Sequence, residues 1–136
     1  MRNELEFHDS MIVSIAQVGK VIHITLNGYL HRWDKSSGVW KGEGWRQPVL
    51  ITMTGDLPTA QAGIPAATLE TGDIELGEIT YTHLVPLPLS SAGPAALRLE
   101  TAEGEVLEFS GSDLKAETTG AGTFVEKLPD EFKPVG

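Results

Sequence analysis

Met11-Ile-Val-Ser-Ile15-Ala-Gln-Val18, then Gly19-Lys20, then Val21-Ile-His23-Ile-Thr25-Leu-Asn-Gly-Tyr29-Leu-His31-Arg-Trp33 is the stretch on which the fold turns. Apolar and polar residues alternate on both sides of Gly19-Lys20, the period of a strand with one buried face. Glycine at the first of the two central positions supplies the positive φ of a type II′ hairpin turn. Such a turn sets Ile15 opposite Ile24 and Val13 opposite Leu26 on one face, with Ser14 opposite Thr25 and Ala16 opposite His23 on the other. A slip of one residue would mix the two sets, so pattern and turn chemistry specify the same register.

The same logic extends along the chain. A three-residue loop Ala102-Glu103-Gly104 places Leu99 against Leu107 and Leu97 against Phe109, with Arg98 facing Glu108 outside and Gly104 as the left-handed bulge residue. A Gly77-Glu78 turn aligns Leu76 with Ile79 and Ile74 with Tyr81, leaving Glu75 beside Thr80 on the wet face. Further strands are expected at 47–53, 114–118 and 124–127. Pro86 and Pro88 cannot donate to a ladder, which makes 84–89 an edge or crossing segment. Loops are expected over 34–44, 55–66 and 90–94, and a tail over 128–136. No amphipathic helical period and no internal repeat is present. The expectation is one all-β domain, 1–136, an antiparallel β-sandwich or partly open barrel of about 8–10 short strands joined mainly by hairpins.

Composition agrees with that class. The 136 residues are 40% hydrophobic and 21% charged, with 15 glycines, 8 prolines and no cysteine, which excludes disulfides, thiolate metal sites and cysteine nucleophiles. No long uncharged apolar run is present, and the opening residues carry acids where a secretory signal would be apolar, so the expected compartment is the cytoplasm. Charge is unevenly spread. Residues 1–68 are neutral in sum, and the whole formal charge of −9 falls in 69–136. Such a surface repels phosphate, which speaks against nucleic acid or anionic membrane as partner and leaves room for a basic protein, as with an acidic inhibitor that neutralises its target. Acids on solvent-facing strand positions also simply keep a β-protein soluble.

Continuing the first hairpin in the same register brings His8 opposite His31, roughly 4.5–5.5 Å apart at Cβ. With His83 on a neighbouring strand, these three would hold a divalent metal. The spacing matches no established metal motif, and hydrogen-bonded structural histidines are the competing explanation. In that register Asp9 lies diagonal to Arg32 as an ion pair. His8-Asp9-Ser10 is not a catalytic triad, because adjacent strand residues point to opposite faces and no nucleophile elbow is present. Asp9 and Ser10 instead read as residues that bond neighbouring backbone amides where the chain enters the strand.

Tyr29, Trp33, Trp40 and Trp45 fall in one short segment together with Arg32, Lys35, Lys41 and Arg46. Aromatic platforms beside polar side chains grip protein partners, and equally close the end of a β-fold over its core. The glycine runs 42–44 and 120–122 lack the lysine and helix of a phosphate cradle, and no carboxylate pair stands out for acid–base work. The expected function is therefore a non-enzymatic binding module for a protein partner, using Tyr29, Arg32, Trp33, Trp40 and Trp45 and requiring no cofactor. The alternative is a metal-binding protein or metal-dependent enzyme built on His8, His31 and His83.

Overall fold

A computed structural model describes residues 1–57 and 66–134. Among them are nine strands: β1 Arg2–Val18, β2 Val21–Ser36, β3 Val39–Thr54, β4 Ala67–Leu76, β5 Ile79–Thr82, β6 Leu84–Leu87, β7 Leu89–Thr101, β8 Val106–Thr118 and β9 Thr123–Lys127. A 3-10 turn, Asp130–Phe132, follows. All pairings are antiparallel. The sheet runs β4-β7-β8-β3-β2-β1 and closes through a short β1–β4 pairing, Met11 with Thr68 and Ile12 with Ala67. The result is a closed six-stranded barrel, where the sequence pointed to a sandwich or partly open barrel. Its interior is filled by Ile12, Ile22, Ile24, Leu26, Val49, Ile51, Ile74, Leu97, Leu99, Leu107 and Phe109.

The three expected hairpins form. Ile15 pairs with Ile24, Leu99 with Leu107 and Ile74 with Tyr81, and Gly19, Gly77 and Gly104 take positive φ of 62°, 62° and 91°. Arg98 faces Glu108 at 3.7 Å. Pro86 lies in β6, which among the described residues pairs with β1 alone.

Three expectations need correction, one of register and two of loops. First, the register of the opening hairpin slips twice on β1. Val13 is an extra, outward residue (53% exposed), so Ile12 and not Val13 faces Leu26. A wider break falls between Glu6 and Met11, where Asp9 adopts a left-handed φ of 73°, a conformation Asp tolerates. Ser10 Oγ stitches that break, donating to Glu6 O at 2.6 Å and accepting the Tyr29 N–H at 2.9 Å, as expected of a backbone-bonding residue. Second, 34–44 is no loop. β2 and β3 stay paired without a break to Ser36 and Val39, because Ser37 and Gly38 both take positive φ (53° and 80°) and close a two-residue turn. Residues 90–94 likewise belong to β7, with an irregularity between Ser91 and Pro94. Most of the loop read at 55–66 lies outside the described residues.

Because β1, β2 and β3 are 17, 16 and 16 residues long, they outrun the barrel. Beyond the break in β1 they fan out into a flared sheet of order β6-β1-β2-β3-β9, which carries every residue of the aromatic segment.

Candidate binding face of the flared sheet

Period-2 alternation divides the flared sheet into two faces. On the core-side face one row crosses all five strands: Val85, Leu5, Leu30, Trp45 and Phe124. Its first three members are buried and Trp45 packs partly against the core, while Phe124 stands 46% exposed. Trp45 and Phe124 meet edge to face at 6.0 Å. The row is therefore a hydrophobic ridge that begins in the core and runs out into solvent.

Arg32 lies over this ridge. Its guanidinium carbon is 4.2 Å from the centre of the Trp45 ring, and it donates from Nε to Asn3 Oδ1 (3.2 Å) and from Nη2 to Gln47 Oε1 (2.8 Å). Gln47 is itself anchored by donating to Gly120 O at 2.9 Å. Glu43 stands opposite Arg32 in register, yet its carboxylate accepts from Trp45 Nε1 at 3.2 Å instead. Among the described residues no carboxylate comes within ion-pair distance of Arg32, and neutral acceptors fix the guanidinium. Beside it opens a cleft of about 450 Å³ where Arg32, Trp40, Lys41 and Lys127 meet the acids Asp34, Glu43 and Asp130. Trp40 lies near the hairpin tip, with the Lys35 ammonium 5.4 Å from its ring centre.

The opposite, far face carries Tyr29, His31 and Trp33, all buried. Two glycines make room for them. A Cβ at Gly42 would lie 2.5 Å from the Trp33 ring, and one at Gly44 would lie 2.3 Å from the Tyr29 hydroxyl. Tyr29 donates to Glu126 Oε1 at 2.5 Å and has the Arg46 guanidinium 5.3 Å from its ring centre. Burial first, and then the Glu126 carboxylate, hold this phenol well above its ordinary range, so it stays a donor. The expected single platform is thus two: Arg32 and Trp45 on one face, Tyr29 and Trp33 on the other, with Trp40 near the tip.

The histidines do not assemble. Glu4, not His8, lies opposite His31, because the extra residue Val13 moves β1 by one position and the break at Asp9 by three more relative to the hairpin register. His31 is buried with Nε2 3.3 Å from Glu6 Oε1. His8 is exposed, donates from Nδ1 to Glu70 O at 3.1 Å and has Asp9 3.7 Å away; that hydrogen bond, and then Asp9, raise its pKa. His83 Nδ1 is 3.0 Å from Thr71 Oγ1. Among the described residues no three of His, Cys, Asp and Glu converge on a point where they would hold a metal ion. The expected Asp9–Arg32 ion pair is absent for the same reason of register, and Arg46 bonds the Asp9 carbonyl instead.

Sequence reasoning missed Asn3, Gln47 and Phe124. The signal was present in the alternation of 123–127, which points Phe124 to the same face as Trp45 once β9 is laid along β3. Among the described residues no helix is long and apolar enough to cross a membrane. No known protein family, curated protein or solved structure matches the chain.

Proposed function

We propose that the chain is a non-enzymatic module that binds a protein partner, and that the partner docks on the core-side face of the flared sheet at Arg32, Trp45 and Phe124. The observation that carries this reading is the Arg32 guanidinium stacked on Trp45 without a carboxylate, beside a half-exposed phenylalanine. Tryptophan and arginine dominate binding energy at protein interfaces, and a pre-positioned side chain loses little rotamer freedom on docking. The chemistry asks for a partner surface with an apolar pocket for Phe124 and a carboxylate for Arg32.

Docking is by side chains and not by strand addition. The free edge of β9 is kinked by an extra residue, Val125, and ends at Lys127; the other edge carries Pro86 in β6. These are the devices that blunt an edge against a new strand. Electrostatics favours a second reading: Asp73, Glu75 and Glu108 line a cleft of about 470 Å³ on the outer face of β4, β7 and β8, with Arg98 among them, and would attract a basic partner.

A photo-crosslinking amino acid incorporated at position 124, or at position 75 as comparison, separates the two readings in cells. The proposal expects a discrete protein adduct from position 124 that disappears with Arg32→Ala. An adduct from position 75 alone refutes it in favour of the acidic face.

A further inference from the structure

On the far face, two polar atoms are buried without a partner: Trp33 Nε1 and His31 Nδ1. Trp33 is 0% exposed and His31 4%. An indole N–H is a donor and nothing else. His31 Nε2 faces the Glu6 carboxylate at 3.3 Å, which accepts only from a protonated Nε2, so in the neutral ring Nδ1 is a lone-pair acceptor. Side chains two residues apart on a strand leave the same face roughly 7 Å apart. With the His31 ring neutral the face offers one donor and one acceptor, the complement of the carbonyl and N–H of one extended residue.

Over these atoms lies the segment Leu128–Pro134. Its Leu128 N–H bonds Gly42 O at 2.9 Å, and the Phe132 ring meets His31 edge-on at 6.1 Å. It is lightly seated, since Asp130, Glu131, Phe132 and Lys133 are all exposed. The N–H groups of Phe132 and Lys133 turn back to Pro129 O and Asp130 O, both at 3.1 Å, and do not reach His31. The segment thus keeps water from two polar atoms without pairing them, an arrangement that disfavours the covered state against any occupant that pairs both.

We infer that Leu128–Pro134 is a displaceable cover and that Tyr29, His31 and Trp33 beneath it form a groove for an extended peptide of a partner protein. That peptide places an aromatic side chain where Phe132 sits and turns the carbonyl and N–H of one residue to Trp33 Nε1 and His31 Nδ1. The chain's own segment shows what the groove accepts, and the unpaired atoms show what the segment lacks. Tyr29, His31 and Trp33 are on the opposite side of the sheet from Arg32 and Trp45, while Leu128 and Asp130 of the cover also line the cleft beside Arg32; exchange at Trp33 and the crosslink at position 124 therefore read the two sites separately.

The test uses the full chain with Phe132→Ala and, as probe, a fluorescein-labelled synthetic peptide of residues 127–134. Phe132 is half exposed, so the substitution spares the core, and the indole N–H of Trp45 serves as internal control. Expected are faster solvent exchange of the Trp33 indole N–H by at least tenfold, unchanged exchange at Trp45, and peptide affinity at least tenfold above that of the unaltered chain, with the peptide restoring protection at Trp33. Trp33 exchange as slow as in the unaltered chain, or a peptide that binds neither protein, overturns the inference. Faster exchange at Trp33 and Trp45 alike also overturns it, because the segment is then an integral part of the fold.

Discussion

Ser10 Oγ both accepts the Tyr29 N–H and donates to Glu6 O, and so holds together the break in β1 that separates barrel from flared sheet. Ser10→Ala leaves the Tyr29 N–H buried and unpaired, which costs about 1–3 kcal/mol; denaturant unfolding reads that loss directly. His8 gives a pH signature. Its pKa is raised, by the hydrogen bond to Glu70 O and then by Asp9, so the stability it contributes is fully present below the ordinary histidine value and is lost as pH rises through the raised one. Histidine titration by NMR is expected to place the His8 midpoint above 6.5, and His8→Gln to flatten the fall in stability across that interval. His8 was legible in the sequence as a residue on the first hairpin, but not its partner: Asp9 at positive φ leaves alternation intact on either side of the break, so the pattern alone conceals the slip.

For the elements, turn chemistry made the hairpins readable, since Gly19, Gly77 and Gly104 stand where a positive φ is required and apolar residues alternate around each. Tyr29 to Trp33 was legible as strand, but the outer ends of β2 and β3 were misread because 34–44 holds three glycines and mostly polar or charged residues, the composition of a loop. Lys35 to Gly38 then resembled a loop. The corrected register makes a paired forecast: Ile24→Ala costs about 2–5 kcal/mol as a core deletion, whereas Val13→Ala changes stability by about half a kcal/mol or less. Equal losses at the two sites, measured by thermal or denaturant unfolding, would restore the unbroken hairpin.

At the scale of the whole molecule, all-β class and antiparallel pairing followed from the pattern, but barrel closure did not. It depends on two residue pairs, Met11–Thr68 and Ile12–Ala67, between strands far apart in sequence, and no local period encodes such a contact. The docking face of the proposed function and its acidic rival also lie in different parts of the fold, with Arg32 and Trp45 on the flared sheet and the acidic cleft on β4, β7 and β8. Calorimetric titration of the partner recovered by crosslinking, against the unaltered chain, Arg32→Ala, Trp45→Ala and a Glu75→Lys/Glu108→Lys double variant, decides between them. If the flared face binds, the first two substitutions each weaken affinity by roughly tenfold or more, about 1.4 kcal/mol or above, and the charge reversal changes it little. Full affinity in Arg32→Ala and Trp45→Ala, with loss only in the charge-reversed chain, contradicts it.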